Sequence, residues 1–259
     1  MPVEILAASV ETKHFFAELP MPRGINGNQV KGKQYWDLFL DESKSINDLA
    51  TINETYSRMQ DFHDTLNSGR FFLANAQRSH FPEIYSGEPP TWANNWIKSQ
   101  YLNSAIHSYS AAFDIYLQIL WIGFGLYKQF PDKCPSILSD DTLDKILEVC
   151  NINRVKCQND ILGKELCDKI ERFHSCSITG FVRNLCKQIK HRRCISYSEL
   201  SQDKHPIMIS TGSYNSHNTI SEYSIDDIIS NLKKFHKVIK IISNYTIPIV
   251  TAHFGKDKE

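Results

Sequence analysis

The chain has 259 residues, 41% hydrophobic and 22% charged, so it can bury a substantial core and is not a disordered polymer. Its 29 basic residues balance 29 acidic ones. Zero net charge excludes nucleic-acid binding by whole-protein attraction, so any such contact has to come from a local patch.

In residues 1–32, Val3 to Val10 fits a strand or a short helix, and Pro20, Pro22, Gly24, Gly27 and Gly32 mark a loop. The opening MPVEILAASVE has no basic residue before its short apolar run and does not read as a secretory signal. From about Tyr35 to Leu66 the period is helical. Ile46, Leu49, Ile52, Tyr56, Met59, Phe62 and Leu66 recur at three- and four-residue steps, with a break near Asp41 to Ser45. Asn67, Ser68 and Gly69 supply a stop. Residues 68–91, with Pro82, Gly87, Pro89 and Pro90, read as an irregular loop.

Thr91 is placed to cap a helix from Trp92 to Tyr127 with the stripe Ile97, Tyr101, Ala105, Tyr109, Ala112, Tyr116 and Leu120. Its second half is apolar on nearly every side, as in the central helix of a bundle. The run Ile115 to Tyr127 falls short of the about 20 residues that a membrane span needs, so no membrane association is expected. Asp114 stands in this apolar half. It reads either as a satisfied buried acid or one facing a solvated seam, or as an acid that orients a basic group on a neighbouring helix.

Pro131 and Pro135 break the chain, and Ser139 or Asp140 caps a short helix from Thr142 to Cys150. Further helices are expected at about Asp160 to Phe173 and Ile178 to Arg193. Residues 195–223 read as a loop with a two-stranded hairpin around Gly212. Ser224 then caps a last helix, with Asp227 in the capping-box position. Its stripe is Ile225, Ile228, Ile229, Leu232, Phe235, Val238, Ile242 and Tyr245, and Lys233, Lys234, Lys237 and Lys240 line its polar side. HFGKDKE reads as a frayed tail. With no repeats, no βαβ alternation and no glycine-rich phosphate loop, the expectation is an all-α bundle of five to six main helices.

Seven cysteines, none in a CxxC pair, fit reduced thiols in a cytoplasmic protein. Cys167, His174 and Cys176 lack a paired ligand knuckle, so no metal and no cofactor is expected. His14, His63, His80, His107 and His174 are scattered and read as surface or packed residues.

The stretch Val182 to Arg193, VRNLCKQIKHRR, is the most informative. As a helix it puts Val182, Leu185, Cys186 and Ile189 on an apolar stripe, and Arg183, Asn184, Lys187, Lys190 and His191 on the other side. Residues 183–193 hold five basic side chains, Arg192 and Arg193 included, and no acid. Cleaving RNA without a metal needs a base for the 2′-hydroxyl proton, an acid for the leaving 5′ oxygen, and cations to hold the phosphate. Histidine suits either proton role near neutral pH.

The stretches AIHSYSAAFDIYLQILWIGFGL and RNLCKQIKH resemble the early apolar helix and the late Arg-polar…His motif of the HEPN superfamily of helical-bundle proteins. The resemblance covers about residues 92–245 and implies a HEPN-like bundle at 91–250. Residues 1–90 then form an N-terminal extension whose long amphipathic helix packs on the bundle, and 251–259 a tail. It implies a metal-independent endoribonuclease of bacterial defence or of a toxin system. Arg183, Asn184 and His191 would be catalytic, and Lys187, Lys190 and Arg192 would bind substrate. RNA, a symmetric homodimer, and an antitoxin or defence-system protein are the implied partners. Asn184 follows Arg183 as in the family, but the seven residues between Arg183 and His191 exceed its usual spacing. Two alternatives stay open: a silent bundle binding RNA, nucleotide or a partner protein, and a structural dimer.

Overall fold

The computed structural model describes residues 46–81, 84, 90–134, 138, 140–191, 195–201 and 222–254. The expectations for Val3 to Val10, for the break at 41–45 and for a hairpin around Gly212 lie outside these residues, as do Arg192 and Arg193.

Nine α-helices make up almost all of the described chain: α1 Ile46–Ala76, α2 Thr91–Gly123, α3 Asp140–Glu148, α4 Ile152–Lys156, α5 Asn159–Leu162, α6 Lys164–Ser175, α7 Ser177–His191, α8 Ser198–Ser201 and α9 Ile225–His253. The protein is therefore all-α, and six of these helices have nine or more residues. Two short strands join the helices: β1 Ser196–Tyr197 pairs in parallel with β2 Glu222–Tyr223. The loop reading of 195–223 missed this pairing and the turn of α8, both too short to leave a period.

α1 and α2 form an antiparallel pair in a seven-residue register. Gly123 faces Thr55, the Phe62 and Tyr116 rings lie 6.3 Å apart, and Gly69 lies against the Tyr109 ring. Each seven residues forward along α1 match seven back along α2, the repeat of an antiparallel coiled-coil contact. Beyond Gly123, Thr51 Oγ1 and the Tyr127 hydroxyl share a buried hydrogen bond of 3.2 Å.

The expected stop at Asn67 to Gly69 is overturned, because α1 runs on to Ala76. Leu73 and Ala76 extend the buried stripe. A Cβ at Gly69 would stand 3.1 Å from Tyr109 Cε1, so this glycine makes room for a ring. Its cost of about 1 kcal/mol in helix propensity is small beside the burial of several large side chains. Thr91 is likewise the first helical residue and not the cap. Pro90 takes the cap position with no side-chain hydrogen bond.

α2 is the hub and packs against α1, α7 and α9. Its expected stripe is buried except for the half-buried Tyr101. It ends at Gly123 and not at Tyr127; Gly125 takes φ +61° and a 3₁₀ turn follows at Leu126–Gln129. The indole of Trp121, wholly buried, donates to the Ile146 carbonyl of α3 at 3.0 Å. α4 was not foreseen: Asn151 caps it by accepting from the Arg154 amide at 3.1 Å. The single helix expected from Asp160 to Phe173 divides at Gly163, whose φ of +77° ends α5.

α9 begins as read, with Ser224 Oγ accepting from the Asp227 amide at 3.0 Å. It continues to His253 with Pro248 inside it, and Phe254 is buried, so the tail is ordered at its start. Tyr245 departs from the expected stripe: it is exposed, donates to Glu165 of α6 at 3.0 Å and carries the Lys169 ammonium 4.4 Å above its ring. His236 fills the interior instead, 3.2 Å from the Tyr109 hydroxyl through Nδ1. Burial, then the charges of Arg70 and Lys240, hold its pKa down at about 3, so it is neutral inside the core at pH 7.

Candidate anion-binding cleft

α7 is amphipathic as its sequence indicates. Val182, Leu185 and Cys186 are buried, while Asn184, Lys187 and Lys190 are exposed and Arg183 is half-buried. The apolar stripe pins the helix against α2 and α9, which leaves the polar side facing a cleft of about 430 Å³. Arg183, Asn184, Lys187 and Lys190 line one wall together with Gly180. Ser110 and Asp114 come from α2 and His174 from α6. Four residues assigned to the site from sequence thus share one cavity.

Arg183 is held by more than charge. Its guanidinium carbon lies 4.5 Å from the centre of the Phe113 ring, a cation–π contact on a wholly buried aromatic. Phe113 also packs against Phe173 at 5.5 Å and against the His174 ring at 6.2 Å. The arginine is therefore positioned from the core outward, with its donors left for the cleft.

Asp114 is the acid among these cations. Its side chain is exposed to solvent at the cleft, yet the protein mass of the walls strips much of the surrounding water and raises its pKa. Arg183 and Lys190 pull it back down. Its exposure fits the reading of an acid on a solvated seam, and the cations that act on it come from α7.

Two histidines approach this region. The His107 ring Nδ1 lies 3.7 Å from the Cys186 thiol, behind α7. Burial lowers its pKa, with Lys190 acting in the same sense. His174 lines the cleft itself. Burial lowers its pKa too, then the charges of Arg183 and Lys156, against a raising effect of Glu171. Both favour the neutral imidazole at pH 7. Half-buried and packed on Phe113, His174 fits the sequence reading of a surface or packed residue, and it lines the cleft as well. Nothing local to α6 marks it, because the partners Phe113 and Arg183 come from other helices.

His191 is the last residue of α7, and its side chain, like the whole of Arg192, lies outside the described residues. α7 is unbroken from Ser177 to His191, so Arg183 and His191 stand about 12 Å apart along its axis at 1.5 Å per residue. Among the described residues, no three His, Cys, Asp or Glu side chains gather, and no helix is long and apolar enough to cross a membrane. Comparison with family models, with curated proteins and with solved structures finds no match to this chain.

Proposed function

We propose that this cleft binds the phosphodiester backbone of RNA and cleaves it without a metal, as the HEPN resemblance implies. The observation that supports it most is the convergence of Arg183, Asn184, Lys187 and Lys190 on one cavity with an acid and a histidine. Three cations against one carboxylate give a local positive field in a chain of zero net charge. Arg183 grips two phosphate oxygens through its planar fork, already oriented by Phe113. Lys187 and Lys190 act as point charges, and Asn184 donates to a phosphate oxygen. In the homodimer, His191 of the second copy gives its proton to the leaving 5′ oxygen, since within one chain it stands about 12 Å along α7 from Arg183. Arg192 continues the basic track, a symmetric homodimer joins two such tracks, and the setting is a cytoplasmic defence or toxin system.

The test is cleavage of a mixed RNA in EDTA by the wild type, Arg183→Ala and His191→Ala. Cleavage that falls by about 10²-fold or more in both variants supports the reading. Equal cutting by all three would mean that the motif is not the site.

A second reading has an observation of its own. The 12 Å between Arg183 and His191 in an unbroken helix suits a module that binds RNA without cutting it. Salt-sensitive RNA binding with no cleavage would select it.

A further inference from the structure

The length of α7 leaves Arg183 without His191 of its own chain at its side, while another histidine, His174, packs on the same aromatic ring as the arginine. We propose that His174 is the proton acceptor of the cleft, working in the same chain as Arg183. This rests on the endoribonuclease reading above.

The geometry begins with Phe113. One buried ring carries the Arg183 guanidinium at 4.5 Å and the His174 imidazole at 6.2 Å. The two functional groups therefore share a single rigid support. The backbone adds to this: only Cys176 separates the end of α6 from the start of α7, so His174 is tied to the first turns of the helix that bears the arginine. Gly180 also lines the cleft, and nothing comes within 4 Å of where its Cβ would be, which leaves space for a ligand. Among the described residues no hydrogen bond engages the ring nitrogens of His174, whereas His107 is taken up with Cys186.

The charged groups around His174 set its protonation. Arg183 acts on it from α7, Lys156 from α4 and Glu171 from its own helix, while Lys187 and Lys190 of α7 and Asp114 of α2 line the same cleft. Burial and the cations outweigh Glu171, so the imidazole is neutral at pH 7 and has a lone pair to offer. A base in the cleft needs that state.

In the step itself, neutral His174 takes the proton of the 2′-hydroxyl. The 2′ oxygen forms its bond to phosphorus as the bond from phosphorus to the 5′ oxygen breaks. The leaving 5′ oxygen takes its proton from His191 as assigned above. The products are a 2′,3′-cyclic phosphate and a 5′-hydroxyl, and both histidines return to their starting state by exchange with water. Arg183 holds the phosphate throughout, which is the purpose of having both groups on one ring.

The experiment compares wild type, His174→Ala and His174→Gln on RNA in EDTA across about pH 5 to 8, the range in which histidine changes charge. Thermal melts confirm that each variant is folded, and His174→Gln serves if the alanine variant is not. The expected result is a kcat about 10²-fold lower with KM changed far less, loss of the acidic limb of the pH profile, and partial recovery of His174→Ala by added imidazole. A structural role would give none of the last two. A wild type that cleaves, with folded variants that match its kcat and pH profile, overturns the role of His174 and leaves the endoribonuclease reading in place. A wild type that binds RNA and never cuts it overturns both.

Discussion

Glycine has opposite meanings in the two halves of this molecule. In the α1–α2 pair, a Cβ at Gly123 would collide with the Val250 side chain of α9, and one at Gly69 would press on Tyr109. In the cleft wall, Gly180 faces open space. The first region is sealed by close packing, where each methyl group is felt. The second is built from the outer face of a helix whose inner face alone is packed. The difference teaches that stability and chemistry are largely separable here, and that a substitution in one region should leave the other nearly untouched.

The largest expected effect lies in the sealed region. Trp121→Ala removes a wholly buried indole and orphans the Ile146 carbonyl, so unfolding in urea should show a loss of about 3–5 kcal/mol. A loss below about 1 kcal/mol would mean that the α2–α3 contact is loose.

Next comes acid. His236 is held neutral with a pKa of about 3, against 6.5 in the unfolded chain. Between those values the unfolded state binds the extra proton, so stability is intact above pH 6.5 and falls as pH drops toward 3. The slope from this group approaches about 1.4 kcal/mol per pH unit. The denaturation midpoints of wild type and His236→Gln, measured against pH, should converge as pH falls. Parallel curves would place the titration elsewhere.

The glycine comparison is tested by one substitution at two sites. Gly123→Ala should cost about 1–3 kcal/mol through overpacking. Gly180→Ala, free of any clash, should stabilise α7 by about 0.5–1 kcal/mol. Thermal melts with the same sign for both would end the contrast between the regions.

The smallest stability effects belong to the cleft, where the readout is binding. Lys187→Glu should weaken binding of single-stranded RNA and lower the slope of log affinity against log salt by about 0.7. Asp114→Asn should tighten binding by removing the one acid among the cations. Both should shift stability by less than about 0.5 kcal/mol, as surface changes do. Fluorescence anisotropy over a salt series would show it, and an unchanged slope in Lys187→Glu would remove that lysine from the phosphate track.

The all-α class was legible because the stripes of α1, α2, α7 and α9 repeat over many turns. The polar wall of the cleft was legible for the same reason, since Arg183, Asn184, Lys187 and Lys190 sit on one face of one amphipathic helix. Gly69 misled because a glycine after polar residues is a stop signal locally, and only the ring of Tyr109 explains it. α4 left too few turns for a period. His174 and Asp114 lie 60 residues apart, and no spacing rule joins residues that meet only through tertiary packing. Asp114 did leave a trace, an acid in an apolar run, whereas His174 left none.

The shared position of Phe113 has one more consequence. Because Arg183 and His174 rest on the same buried ring, their separation is inherited from the interior and not from a loop. The cleft wall can vary in charge and size while that spacing stays constant. New specificities are therefore accessible through Lys187 and Lys190, exposed on the cleft wall, which can change without disturbing the two groups anchored on that ring. Residue 113 is the exception to the separation of the two regions, since there a repacked core is also an altered cleft.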